Sequence, residues 1–412
     1  MKTFLKISVA VGALLVSAAT AQANCGIPAG SVRILSNDFT ALHVVASTAE
    51  ECASPTVKVT KNQTTEHNNI QVAALTTNPA TYTVKIVANS SLAPLLNAGL
   101  VRPLDDLVAK YGKDLTPNQL IKVDGKVMAV AFMANAQHLY YRKDILEKAG
   151  VKPPKTYEEV LAAAKVIREK GIMQNPLAGL YKPGFDLAVE FVNNYLGTGA
   201  EFFEPGTAKL ALDPVKATKT LELMKSLSQY MAPDFLTYNS NSVKPLWESS
   251  QVAMINGWGS RAGALIDPAG PAPQVAANTV LTSAPTFGGG TVPAAALWWD
   301  GFVIAKNISD EDAEASFRAM MHAISPDVAK KHPKVAAWLI KGYEPTPAAV
   351  GVFETAKAGA REFPTVPFMG LLLTALGGEL ADFMQGKETA EQALADVARA
   401  YNTAAKDAGY LR

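Results

Sequence analysis

The stretch over residues 125–151 constrains the fold more than any other part of the chain. Its apolar run at 127–132 predicts a strand, and a second, aromatic run at 138–141 predicts another. A short helix follows and ends at Gly150, a residue type that favours helix ends. A chain that leaves one sheet and enters another has this order of elements. We therefore predict that residues 133–137 form a hinge between two domains and part of a ligand site, with an ordinary bulge or loop as the alternative.

The start of the chain has the features of a secretory signal peptide over residues 1–23. Two lysines precede an apolar run at 9–16, and an A-x-A pattern at 21–23 provides a cleavage site. The apolar run is shorter than the roughly 20 residues that a membrane-spanning helix needs. We predict cleavage before Asn24 and export to the periplasm.

Cys25 and Cys52 both remain after this cleavage. An even number of cysteines in an exported protein favours a disulfide, here one that ties the mature N-terminus to a segment further along. Two free, buried thiols are the alternative. The sequence has no C-x-x-C pattern, so we do not expect a redox role.

The length of 412 residues exceeds one ordinary hydrophobic core, so we predict two domains. The 38 basic residues nearly balance the 37 acidic ones, and two of the basic residues lie in the leader. This balance gives no indication of a nucleic acid or an anionic membrane as partner.

Polar and aromatic residues follow several of the predicted strands. Strands at 32–36 and 82–87 each run into a polar loop and then a helix, and this alternation predicts an α/β fold with a mostly parallel sheet. Open sheets of this kind bind ligands beyond the carboxyl ends of their strands. The residues in these first loops are Asp38, Phe39, Asn89, Ser90 and Ser91.

Beyond residue 151, helices dominate. Thr156 and Thr389 each begin a capping-box pattern, and Asp213 is an N-cap candidate followed by proline. A buried strand at 252–256 runs into a glycine-containing turn, and the run at 294–301 precedes a further strand.

The sequence contains no strong signal for catalysis, for a metal or for a cofactor. The five histidines are scattered, and there is no H-E-x-x-H, G-x-S-x-G or P-loop pattern. A G-x-G-x-x-A match at 257–262 follows a strand, but Asp267 and Pro268 stop the helix after it. We interpret this segment as a turn that presents Trp258 to a crevice.

The candidate ligand-binding residues share a position at the end of an element or beside a glycine. Each aromatic residue taken singly is more typical of a core, but aromatic faces also pack on sugar rings, while amide and charged groups hydrogen-bond hydroxyls. This mixture suits a neutral polyhydroxylated ligand, and its two cations leave room for an acidic group. The candidates are Asp38, Phe39, Asn89, Ser90, Ser91, Asn135, Gln137, Lys182, Phe185, Asn256, Trp258, Arg261, Trp298, Trp299, Asp300 and Phe368.

A catalytic alternative is a secreted glycoside hydrolase or lyase that uses Asp38 and Asp300. Carboxylates pair in space rather than along the chain, so their separation in sequence does not argue against this chemistry.

Several segments in the right order resemble a family 1 extracellular solute-binding protein of an ABC importer, the group that includes maltose-binding protein. Residues 86–107 resemble the family's strand, ligand loop and "G-L-x-x-P-L-D-D-L" helix start, and 139–144 resemble its "Y-Y-R-K-D-L" signature. Residues 252–258 are similar to "A-M-x-I-x-G-x-W", and 386–394 to the closing "G-K-x-S-x-E-E-A-L" helix.

The resemblance implies a type II-like clamshell of two lobes, each a sheet flanked by helices, that closes on one solute and delivers it to a permease. It places one lobe at 24–132 plus 287–345 and the other at 133–286 plus 346–412. Asp38, Phe39 and residues 89–91 would come from the first lobe, and 298–300 would lie on its cleft edge. The second lobe would supply Phe185, Asn256, Trp258 and Phe368. A monomer without enzymatic activity is expected.

Overall fold

The computed structural model describes residues 25–412, so the predicted leader and its cleavage site lie outside the described residues. In chain order the strands are β1 (Gly30–Ser36), β2 (Val57–Gln63), β3 (Val84–Ala88), β4 (Leu120–Val123), β5 (Lys126–Asn135), β6 (Gln137–Arg142), β7 (Leu177–Ala178), β8 (Met254–Trp258), β9 (Thr279–Thr282), β10 (Ala296–Ile304), β11 (Ala337–Trp338) and β12 (Arg361–Glu362).

The helices flank these strands and carry most of the chain after β6. They are α1 (Thr40–Glu50), α2 (His67–Thr76), α3 (Asn89–Asn97), α4 (Asp105–Tyr111), α5 (Lys143–Ala149), α6 (Tyr157–Glu169), α7 (Phe185–Gly197), α8 (Pro214–Ser228), α9 (Val243–Glu248), α10 (Ala262–Leu265), α11 (Pro273–Ala277), α12 (Asp310–Ala323), α13 (Pro326–Lys331), α14 (Val350–Lys357), α15 (Met369–Gln385) and α16 (Ala390–Asp407). No helix among the described residues is both long enough and apolar enough to span a bilayer.

The strands form two sheets, which define two lobes. The larger sheet has the order β11-β5-β10-β3-β1-β2, with β4 on β5 and β12 on β10, and we call the part of the molecule around it the first lobe. The smaller sheet has the order β7-β8-β6-β9 and lies in the second lobe. Each sheet packs against its own hydrophobic clusters, for example around Phe302 in the first lobe and Phe191 in the second. The predicted α/β, two-lobed fold is confirmed.

The larger sheet is mixed rather than mostly parallel, which corrects the prediction for this part of the chain. β1 pairs in parallel with β2 and β3, but β10 is antiparallel to both β3 and β5. The reason is topological: β10 returns from the second lobe in the reverse direction and inserts between two strands laid down earlier.

The chain changes sheets at Ala136. β5 ends at Asn135 in the larger sheet, and β6 begins at Gln137 in the smaller one. The return crossing lies between the end of β9 at Thr282 and the start of β10 at Ala296. Both crossings meet in space, because Trp298 on β10 pairs with Asn135 on β5.

Local capping chemistry sets the helix starts as predicted. Thr156 accepts a hydrogen bond from the Glu159 amide, and Thr389 accepts one from the Gln392 amide, which completes two capping boxes. Asp213 likewise accepts hydrogen bonds from two amides at the start of α8.

Two segments that the sequence predicts to be loops are regular secondary structure instead. Residues 89–91 form the first turn of α3, because the Ser91 hydroxyl accepts from the Ala88 amide and so caps the helix itself. Residues 298–300 lie inside β10, because pairing with β3 and β5 extends this strand back to Ala296.

Cys25 and Cys52 form a disulfide, as predicted. The bond joins residues 27 positions apart, and a loop of that size contributes roughly 3–4 kcal/mol in the chain-entropy model. It ties the segment before β1 to the end of α1.

Candidate functional site

The two lobes touch over the ends of their central strands. Phe39 follows β1 of the first lobe, and Arg261 follows β8 of the second. The guanidinium carbon of Arg261 lies 5.4 Å from the centroid of the Phe39 ring. The cleft between the lobes is therefore bounded on this side by a cation–π contact, formed by two of the predicted site residues.

Four aromatic side chains form a cluster beside this contact, which we call the aromatic cluster: Phe185, Trp258, Trp298 and Phe363. The ring of Trp298 is at the centre, 5.4 Å from Trp258, 6.0 Å from Phe185 and 4.1 Å from Phe363 between centroids. The contacts with Trp258 and Phe185 are edge-to-face, at 84° and 70°. Three of these residues were predicted from the sequence, whereas no local pattern around Phe363 singled it out.

Phe185 is the exposed member of the aromatic cluster, with 46% of its surface accessible, while Trp298 retains only 5%. The indole N–H of Trp298 is buried and has no hydrogen-bond partner among the described residues. The cluster thus combines an accessible aromatic face with a buried indole donor that has no partner among the described residues.

Trp299 lies on the other side of β10 from Trp298. It packs against the cluster of the first lobe that contains Leu92 and Val87, whereas Trp298 packs into the second-lobe cluster. Alternation of side chains along a strand explains this separation. Trp299 is accordingly placed as a partly buried packing residue.

Two carboxyl groups lie near the cleft in settings that disfavour their charge. Burial raises the pKa of Asp186 to about 7, against the opposing effect of Lys182. Burial also raises the pKa of Asp300 to about 7, opposed by Lys85. Asp38 is exposed, and its carboxylate lies 2.6 Å from His43 Nε2.

Lys85 and His67 form a buried polar pair beneath Asp300 that the sequence analysis missed. Lys85 Nζ donates to His67 Nδ1 at 2.5 Å and to the Ile86 carbonyl at 2.7 Å. Burial lowers the pKa of Lys85 to about 7 and that of His67 to about 3. The sequence feature that could have indicated this pair is Lys85 itself, a lysine at the centre of an apolar strand.

The start of α3 supplies amide and hydroxyl groups at the edge of the first lobe. Asn89 Nδ2 donates to the Leu297 carbonyl at 3.4 Å, and its Oδ1 is buried without a partner among the described residues. Ser91 is occupied by its own helix cap, whereas Ser90 is partly exposed.

The predicted amides at the crossing bind one another rather than facing an open cleft. Gln137 Oε1 accepts from Asn256 Nδ2 and from Asn193 Nδ2, each at 3.0 Å. Gln137 has no exposed surface, and Asn256 has 8%. Asn135 contacts Ser260 with both ends of its amide. Burial between the sheets explains why these polar side chains pair internally.

Phe368 lies apart from the aromatic cluster. Its ring contacts Phe203 and Tyr410 at 4.7 and 5.8 Å, within the packing of the C-terminal helices. Lys182 is exposed, close to Asp186 at the start of α7. Beside Arg261 and Trp258 the second lobe has a small cavity of about 20 Å³, enough for a water molecule.

Comparison with known families and proteins identifies one matching family and several related proteins. The profile of the family described as bacterial extracellular solute-binding protein matches residues 36–330. A probable ABC transporter-binding protein of Deinococcus radiodurans is 28% identical over 145 residues, 33% of this chain and 34% of that protein. The sn-glycerol-3-phosphate-binding periplasmic protein UgpB of Agrobacterium fabrum is 33% identical over 88 residues, 19% of this chain and 20% of that protein. The matched segments thus span only a third and a fifth of these relatives.

Solved structures match over nearly the whole described chain. A maltose-bound MalE protein of T. maritima has a TM-score of 0.80 at 19% identity, covering 91% of this chain and 100% of that one. A solute-binding protein of Agrobacterium radiobacter in complex with ribitol has a TM-score of 0.79 at 19% identity, covering 92% and 99%. One of Agrobacterium vitis with bound D-mannitol has a TM-score of 0.75 at 21% identity, covering 93% and 100%. At these identities the likeness shows the fold.

Proposed function

Because the chain belongs to the bacterial extracellular solute-binding proteins, we propose that it captures a carbohydrate or a related polyhydroxylated solute between its two lobes and delivers it to the permease of an ABC importer. We propose that it acts in the periplasm as a monomer, after cleavage before Asn24. The proposed lobes follow the expected division, with the crossings at Ala136 and between Thr282 and Ala296, where the strands change sheet. The family consists of binding proteins, and we propose that this member catalyses no reaction.

The aromatic cluster is the observation that carries this proposal. Phe185, Trp258 and Trp298 come from three different elements and meet at the cleft, with an exposed ring and a buried, unpaired indole donor. Aromatic faces of this kind stack on the C–H faces of sugars and polyols. Maltose, ribitol and D-mannitol are the solutes bound by the structurally similar proteins, which supports the same class here.

The charges around the cleft favour a neutral solute over an anionic one. Arg261 lies over the Phe39 ring and within the field of Asp38, and Lys182 lies near Asp186. Arg261 therefore already has an acidic neighbour, and Lys182 has one that is partly ionised near pH 7, so an added anion would gain less from them. An anionic solute such as sn-glycerol-3-phosphate, named for the Agrobacterium fabrum relative, is the alternative, held by Lys182 and Arg261.

Hinge closure accounts for reversible capture. A solute that contacts both lobes binds the closed arrangement better than the open one and shifts the population toward it. A micromolar affinity, which would permit release to a transporter, corresponds to about −8 kcal/mol.

Calorimetry and tryptophan fluorescence on the mature protein test the proposal with maltose, ribitol, D-mannitol and sn-glycerol-3-phosphate. We expect one-to-one, saturable binding of a neutral solute, with the solute recovered unchanged. Tight binding of only the phosphate ester, reduced in an Arg261→Ala variant, would favour the anionic alternative. Release of chromophore from a panel of chromogenic glycosides, abolished by Asp38→Asn or Asp300→Asn, would establish the catalytic alternative instead.

A further inference from the structure

We infer that Asn193, within α7, is a positioning residue that fixes both strand crossings to the helix that presents Phe185 to the cleft. The inference rests on the proposed function, because it concerns how the cleft opens and closes around a solute. It assigns a role in lobe closure to a side chain that is not itself accessible to the solute.

Asn193 is bound by both crossings at once. Its Nδ2 donates to Gln137 Oε1 at 3.0 Å, and its Oδ1 accepts from the Ala296 amide at 2.9 Å. Gln137 is the first residue of β6, directly after Ala136, and Ala296 is the first residue of β10. One side chain therefore holds the chain where it enters the second lobe and where it leaves it.

These hydrogen bonds are buried, and burial favours a single arrangement of the side chains that form them. Asn193 and Gln137 have no exposed surface, and Asn256 adds a second hydrogen bond to the same Gln137 oxygen. In a dry interior an amide that loses its partner is left unsatisfied, so the bonds resist independent movement of the segments they join.

Close backbone packing also joins the last residue of α7 to the segment before β10. A Cβ on Gly197, the last residue of α7, would lie 2.8 Å from Ala294 Cα. The segment before β10 is thus seated directly on the helix. Residues 294–296 and the start of β6 move with the second lobe, and bending is confined to the first-lobe side, at Ala136 and its neighbours.

Helix α7 also connects Asn193 to the cleft. α7 begins with Phe185, whose ring contacts Trp298, two residues beyond Ala296 on β10. With Asn193 in place, lobe bending and the geometry of the aromatic cluster change together. Without it, the crossings can shift against α7, the arrangement that binds the solute becomes a smaller fraction of the population, and the apparent affinity falls by that fraction.

Asn194 provides a matched control beside Asn193. It is also buried, at 1% exposure, but its Nδ2 donates only to the Glu190 carbonyl of its own helix, at 2.8 Å. Truncating either asparagine removes one buried amide from α7. Only the change at Asn193 detaches the crossings.

The test compares Asn193→Ala with Asn194→Ala in the mature protein. Small-angle X-ray scattering without solute reports the lobe arrangement, and calorimetry with maltose, ribitol and D-mannitol reports affinity. We expect Asn193→Ala to increase the radius of gyration and to weaken binding by about tenfold, while Asn194→Ala matches wild type in both. If Asn193→Ala does not fold, Asn193→Ser replaces it, because serine keeps a polar atom on a side chain that is shorter than that of asparagine.

The outcomes separate this inference from the proposed function. Equal scattering and equal affinity for the Asn193 and Asn194 variants would overturn the inference while wild-type binding still supports the function. A scattering change confined to Asn193, in a protein that binds none of the three solutes, would support the coupling and contradict the proposed solute class.

Discussion

The guanidinium carbon of Arg261 lies 5.4 Å from the ring centroid of Phe39, so a side chain of the second lobe covers an aromatic ring of the first. Phe39 is otherwise embedded in the first-lobe core, with 9% of its surface exposed. The contact therefore joins the turn after β8 of the second lobe to the hydrophobic core of the first lobe. Its energy bears on how strongly the lobes associate in the absence of solute.

A double-mutant cycle measures this contact. The variants Arg261→Met, Phe39→Leu and their combination should show a coupling of about 0.5–1 kcal/mol in the free energy of unfolding, the value of a partly exposed cation–π pair. Denaturant titration supplies the free energies. The unrelated pair Arg168 and Tyr230, at 4.4 Å, serves as a positive control for the method. Strictly additive effects at Arg261 and Phe39 would show that the contact does not stabilise the protein.

The neighbouring tryptophans of β10 should respond differently to a bound solute. Trp298→Phe is expected to remove most of the emission change on binding, because Trp298 lies at the centre of the aromatic cluster. Trp299→Phe should retain that change, because Trp299 packs against the first-lobe core. Trp258→Ala should weaken binding by about 1.5–3 kcal/mol, the value of burying a large apolar side chain. An emission change that depends on Trp299 and not on Trp298 would contradict the assignment of the cleft.

Adjacent glycines of α15 should respond in opposite directions to alanine. A Cβ on Gly377 would lie 2.5 Å from the Gly184 carbonyl oxygen, at the turn that precedes Phe185, whereas a Cβ on Gly378 would meet open space. Gly377→Ala should destabilise the protein by about 1–3 kcal/mol through this overlap. Gly378→Ala should stabilise it by about 0.5–1 kcal/mol, because alanine favours the helix. Thermal unfolding of the two variants measures these changes. A loss of stability in Gly378→Ala as large as that in Gly377→Ala would refute the packing argument.

The carboxyl of Glu190 should make stability depend on pH. Burial raises its pKa from 4.5 to about 8, and its Oε1 accepts a hydrogen bond from the Leu180 amide. Below the unfolded pKa both states are protonated, and between 4.5 and about 8 only the unfolded state ionises, so this group lowers stability as pH rises through that window.

Glu190→Gln keeps the acceptor and removes the charge. The variant should have the same stability as wild type near pH 4. At pH 8 and above it should be more stable than wild type, by on the order of a few kcal/mol. Denaturant titrations at several pH values measure the difference. A constant difference across the range would show that Glu190 does not titrate in this window.

Removal of the disulfide should affect stability and spare binding. Cys25→Ser with Cys52→Ser should cost roughly 3–4 kcal/mol, the loop entropy of a bridge across 27 positions. The bridge lies at the start of β1, whereas the cleft residue Phe39 follows its end, so solute affinity should not change. Dithiothreitol should lower the melting temperature of wild type and leave the double variant unaffected. A large affinity loss in the double variant would mean that the bridge supports the cleft as well.

Much of the fold could be predicted because it depends on local chemistry. Helix starts at Thr156, Asp213 and Thr389 follow from side chains that accept hydrogen bonds from amides two or three residues ahead. The change of sheet near Ala136 follows from two strand-like runs that only a short polar break separates. The mixed pairing of β10 could not be predicted, because its partner strands are distant in sequence.

Some contacts among the candidate residues could be anticipated. Arg261 contacts Phe39, and Trp298 contacts Phe185 and Trp258, and all five residues are candidates from the sequence. Trp299 was grouped with Trp298 by proximity, but strand alternation sends it to the other face. Phe363, Lys85 and His67 were missed because their role depends on neighbours that no local pattern identifies.

Local sequence therefore settles where elements begin, which segments are apolar and which residue types can recognise a polyol. Packing in three dimensions settles which polar groups remain available. Gln137 reaches Asn193 and Asn256 across 56 and 119 positions, and Ala296 reaches Asn193 across 103. The physical reason is that most buried amide groups find a hydrogen-bond partner, and the fold supplies partners that are far apart along the chain.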